Sequence, residues 1–139
     1  MNLVWFLLIL CAALVSVRIL DGRRRAKRAS GLSDIARKAR MNFSPVDRFD
    51  IGRRLQRSSA WTAGLHVHDI VYGTRGERRL FIATIERRAS PDERPRFFVI
   101  GCAEPLDHSE LKTLTVPTAV SGQAATVEAY RGALAELPA

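Results

Sequence analysis

HVHDIVYGTRGERRLFIATIERR, residues 66–88, decides the fold. In an extended chain Leu65 and Val67 fall on one side and His66 and His68 on the other. After Asp69 the alternation stops, and Ile70, Val71 and Tyr72 run together. One extra residue near Asp69, a β-bulge, would reverse the facing and reconcile the two halves. Thr74-Arg75-Gly76 then reads as a three-residue hairpin loop, with Gly76 free to turn left-handed. The return strand, 78–87, sets Phe81, Ala83 and Ile85 on one face and Leu80, Ile82 and Thr84 on the other. Both faces are apolar, so this strand is expected to be covered on both sides.

Downstream, ASPDERPR (89–96) is a turn by composition. FFVIGCA (97–103) is a third strand, and LKTLTV (111–116) a fourth. A short helix capped by Asp107 with Glu110 competes for the last of these. Residues 121–136 read as a closing helix capped by Ser121, because Val120, Ala124, Val127, Tyr130, Leu134 and Leu137 recur at helical spacing. Upstream, residues 46–57 read as a short helix that turns Phe49 and Leu55 inward. MNFSP separates it from another, GLSDIARKAR, capped by Ser33 with Leu32, Ile35, Ala36 and Ala39 on one face. The expected fold is α+β: an N-terminal transmembrane helix, then a small antiparallel sheet of about four strands. Short helices and the C-terminal helix would pack on one face of it.

Residues 3–17, LVWFLLILCAALVSV, carry no charge, and extension to Leu20 adds only Arg18, whose guanidinium can snorkel to the headgroups. A cleaved signal peptide would place its basic residues first, whereas here DGRRRAKR follows the apolar run. A lipoprotein signal would want small residues before Cys11, and finds Leu8-Ile9-Leu10. The expected organisation is an anchor over 1–20, a basic juxtamembrane linker over 21–44 and a domain over 45–139. Basic residues stay on the cytoplasmic side, which would put the N-terminus outside and the domain in the cytoplasm. Arg23, Arg24, Arg25, Lys27 and Arg28 are the candidate contacts with anionic lipid headgroups.

The net charge of +8 is unevenly spread. Residues 1–40 hold nine basic and two acidic side chains, and residues 41–139 hold thirteen and twelve. A domain so close to neutral lacks the basic face of a nucleic-acid binder. His66 and His68 share a strand face and could supply half of a metal site, which would need a third ligand from His108, Cys102, Asp69 or Glu104. Solvated histidines are the competing reading, with Asp69 as a bulge residue. Cys102 lies in an apolar strand that favours an inert thiol, and nothing in the pattern pairs it with His108 as a nucleophile. Ser58-Ser59 lack a nucleophile elbow, and Gly73-x-x-Gly76 is a turn, without the strand-to-helix context of a phosphate loop. Arg78-Arg79 and Arg87-Arg88 read as charges guarding strand ends.

The layout FSPVDRFD, then VHDIVYGTRG, then an apolar return strand resembles bacterial single-pass membrane proteins with a compact cytoplasmic β-rich domain. The resemblance covers about 43–88. It implies that fold and topology, and no activity, cofactor or catalytic residue. The sequence thus leads to a membrane-anchored, non-enzymatic interaction or assembly module. A membrane-bound metal-dependent enzyme using His66 and His68 and an anionic-lipid surface module are the alternatives.

Overall fold

A computed structural model describes residues 2–58, 64–107 and 110–138. The chain divides into two compact units, Met1–Ser30 and Gly31–Ala139. Helix α1 runs Leu3–Lys38. Within the first unit its apolar stretch is long enough to cross a membrane, and none of that stretch is covered by protein. The separate helix expected at GLSDIARKAR is the end of α1, since nothing between Asp21 and Ser30 breaks a helix strongly.

In the second unit Leu32, Ile35 and Ala36 are buried. The helix stops with Arg40 in the left-handed region, φ 56°. The Met41 N–H donates to the Ala36 carbonyl at 2.8 Å and the Arg40 N–H to that of Arg37 at 3.1 Å. This is a Schellman arrangement with arginine where glycine is usual. The chain then enters β1 (Asn42–Val46), a strand where the sequence predicts only a helix break. Pro45 is the last residue but one of this strand, and the Val46 carbonyl accepts from Ser44 Oγ (2.8 Å) and from the Arg48 N–H (3.0 Å).

Helix α2 is Ile51–Ser58, five residues later than its expected start at Val46. The Asp47 carboxylate accepts from the N–H groups of Phe49, Ile51 and Gly52 at 3.2, 3.0 and 2.9 Å, so it caps a helix that begins after it. Strands β2 (Leu65–Arg75) and β3 (Arg78–Arg87) form the hairpin, with the register shifting between His68 and Val71. The bulge therefore falls where the alternation fails, and Asp69 has φ 54°. Arg75 pairs with Arg78, so the loop is the two residues Gly76-Glu77 and not the expected three. Gly76 has φ 59°, as a primed two-residue turn requires.

Strand β4 (Arg96–Pro105) pairs with β3 along its whole length. The fourth strand expected at 111–116 shrinks to β5 (Lys112–Thr113), because side-chain bonding replaces the ladder beyond it. The Gly101 N–H donates to Thr115 Oγ1 at 2.7 Å, and the Leu114 N–H to the Gly101 carbonyl at 2.8 Å. A further strand, β6 (Thr118–Val120), returns to β4 and was not anticipated. The sheet order is β1-β2-β3-β4-β5, with β6 also on β4. Helix α3 is Gln123–Glu136; its N-cap is Gly122 with φ 81° and no side-chain cap, where Ser121 had been expected to serve.

The sheet is covered on both faces, which corrects the expectation of helices on one. Leu80, Ile82 and Val99 meet the end of α1 and α3 through Leu32, Tyr130 and Leu137. Phe81, Ala83 and Ile85 meet α2 through Ile51 and Leu55. The two alternating sets on β3 are those read from the sequence.

Candidate functional site

The bulge gathers a polar cluster within the core. His66 opposes Glu86 and His68 opposes Thr84, which places both histidines on the α3 face. His66 is exposed and His68 half-buried, with ring centroids 5.8 Å apart. His68 Nδ1 lies 2.9 Å from Asp69 Oδ2, so Nδ1–H donates to the carboxylate and fixes the ring. Below, the buried Tyr130 hydroxyl donates to the Asp69 carbonyl and lies 2.8 Å from Thr84 Oγ1. Pro45 stands across from Asp69 in the β1–β2 register and has no N–H to offer it. Tyr130 reaches that carbonyl from the helix side. The cluster ties the bulge to α3.

Of the third ligands considered for His66 and His68, Cys102 and Glu104 lie on the opposite, α2 face, opposing Phe81 and Arg79. His108, like Ser59, lies outside the described residues. Among the described residues no group of three or more His, Cys, Asp or Glu side chains could hold a metal ion. Burial pushes the Cys102 thiol from an ordinary 9.0 up to about 12, against smaller lowering by a hydrogen bond with Thr113 and the charge of Arg54. At neutral pH it is protonated and a poor nucleophile. The basic residues Arg23, Arg24, Arg25, Lys27 and Arg28 all lie on α1 within the first unit, and the first four are exposed.

A second polar group escaped the sequence reading. Glu104, 1% exposed, accepts from Arg54 of α2 through Oε2 and from Arg79 Nη1 through Oε1 at 3.5 Å. Arg79 also sits over the Phe49 ring, 5.7 Å from its centroid. The expectation of two solvated strand-end charges at Arg78-Arg79 therefore fails for Arg79. Strand parity puts Arg79 on the same face as Phe81, Ala83 and Ile85, and that parity was the available signal. Beside this group lies a cleft of about 400 Å³ lined by Asn42, Arg48, Phe49, Tyr72, Gly73, Thr74 and Arg79. Another, of about 440 Å³, runs between the start of α2 and Leu65–His68 and is lined by both acids and bases.

No protein family matches this chain, and neither curated proteins nor solved structures show a match to it.

Proposed function

We propose that this is a single-pass membrane-anchored protein that holds its α+β domain at the cytoplasmic surface, where the domain acts as a non-enzymatic interaction or assembly module. The observation that carries the reading is in α1: an uncovered apolar stretch followed at once by Arg23, Arg24, Arg25, Lys27 and Arg28. Basic residues are retained on the cytoplasmic side, so their position after the stretch sets the orientation. Near anionic headgroups each adds about 1 kcal/mol of attraction. A structural role for the polar cluster at the bulge supports the non-enzymatic part. The Tyr130 and Thr84 hydroxyls are engaged in bonds that pin α3 to the sheet, and the His68 ring is held by its neighbour Asp69 on the same strand.

The test is a C-terminal reporter that signals only in the cytoplasm, combined with alkaline extraction of membranes. Cytoplasmic signal and resistance to extraction are expected. A reporter active only outside, or release by alkali, would overturn the reading. Cross-linking in cells should then recover a discrete protein partner that the anchor and basic run alone do not retain.

A further inference from the structure

Strand pairing builds the floor of the 400 Å³ cleft on the α2 face. Asn42 opposes Tyr72, Thr74 opposes Arg79, and Arg79 opposes Glu104. Residues 72 and 74 are two apart on one strand, so all of these point the same way. Arg48 and Phe49, from the turn between β1 and α2, form the side wall. Phe49 meets Tyr72 edge-on, ring centroids 4.7 Å apart, and leans on Phe81 at 5.0 Å, so the apolar wall is fixed by packing.

We propose that this cleft binds a small phosphomonoester whose attached planar group rests against Phe49 and Tyr72. The lining has two arginines and no acid. Arg79 uses one of its five N–H donors, on Glu104, and that bond together with Phe49 holds the guanidinium in place. Glu104 is shared with Arg54, so this one carboxylate serves both guanidinium groups. Arg48 is exposed and makes no ion pair with a described residue, and the side chains of Asn42, Tyr72 and Thr74 make no hydrogen bond to one. Two guanidinium groups, an amide and two hydroxyls outnumber the oxygens of a carboxylate. They suit the three oxygens and near-double negative charge of a phosphomonoester. The volume is at the small end for ligand pockets, which run from roughly 300 to 1,000 Å³. This inference does not depend on the chain being anchored.

Calorimetric titration of the full chain in phosphatidylcholine nanodiscs with phenyl phosphate, and separately with inorganic phosphate, tests the site. Saturable one-to-one binding that weakens with salt is expected. Phenyl phosphate should bind more tightly than inorganic phosphate, and Phe49→Leu should remove that difference while leaving inorganic phosphate bound. Arg79→Gln and Arg48→Gln should each weaken phenyl phosphate by about tenfold or more, as loss of one charge-assisted contact implies. Arg48→Gln keeps the test decisive if Arg79→Gln disturbs folding through Glu104, because Arg48 makes no ion pair with a described residue. Arg57→Gln, an exposed change outside the cleft, should bind as the parent does. The proposal is overturned if no saturation occurs at millimolar probe. It is equally overturned if Arg48→Gln and Arg79→Gln leave binding intact while neutralising Arg23, Arg24, Arg25, Lys27 and Arg28 abolishes it. Replacing part of the phosphatidylcholine with phosphatidate assigns the source once the site is established. Competition with phenyl phosphate identifies a lipid headgroup, and unchanged affinity identifies a soluble ligand.

Discussion

Tyr130→Phe removes one oxygen from the largest fully buried side chain among the described residues while keeping its ring. Because the Tyr130 hydroxyl donates to the Asp69 carbonyl, the Thr84 hydroxyl must be the donor in the 2.8 Å contact between the two side chains. The substitution therefore deletes two buried hydrogen bonds and leaves the Thr84 hydroxyl, 3% exposed, without its acceptor. Each lost bond is worth about 1 kcal/mol net, and stranding a buried donor adds about 1 kcal/mol or more. The expected loss is about 3 kcal/mol. With a urea slope of about 1.5 kcal/mol/M for a domain of this size, the midpoint should fall by about 2 M. Urea unfolding of the full chain in non-ionic micelles, read by pulse proteolysis, gives that midpoint. Thr84→Val alone should cost about 1 kcal/mol, and adding it to Tyr130→Phe should cost little more, since the stranded donor disappears with the threonine. A Tyr130→Phe midpoint within error of the parent, or strictly additive effects in the pair, would show that the hydroxyl does not brace the bulge.

Three further outcomes are expected. Arg40→Gly should raise stability by about 0.5–1 kcal/mol, read by the same urea titration, because glycine meets no Cβ penalty at φ 56°. Gly101→Ala should cost about 1–3 kcal/mol, since the new Cβ would lie 2.9 Å from Thr115 Cγ2; Thr115→Ser, which deletes that methyl, should recover part of the loss. Cys102, in a Cys11→Ser background, should resist iodoacetamide at pH 8 while folded and react once unfolded. The folded state holds the thiol proton more tightly, so its contribution to stability is whole below pH 9 and disappears between about 9 and 12; Cys102→Val should flatten the fall in urea midpoint over that window.

The hairpin was legible because its facing is enforced by burial. Leu80, Ile82 and Thr84 against Phe81, Ala83 and Ile85 admit only one register, and the break at Asp69 marks the bulge. β1 and β6 were missed because five residues around a proline, or three residues of Thr-Ala-Val, carry no periodic signal and exist only through pairing. Both faces of β3 and β4 are apolar, a sign that two layers must cover the sheet. The short stripe of α2 does not say which face it takes, so the division of the helices between the two layers is not encoded locally. His66 and His68 were placed on a common face correctly. Which groups lie opposite them depends on strand order, which local pattern does not encode. The Glu104 group illustrates the same limit: Arg54, Arg79 and Glu104 meet across 50 residues of chain.

Strand β1 lies at the rim of the sheet, and its exposed side offers little to a visiting chain. It is five residues long, its fourth residue is proline, and the Val46 oxygen is already bound twice from within. Molecules confined to one bilayer collide far more often than the same number dispersed in water. A long, unguarded rim would let neighbours zip together into ribbons. For a chain tethered as proposed, this blunt border lets neighbours crowd on its side without clumping, and it turns specific assembly toward the rest of the domain's surface.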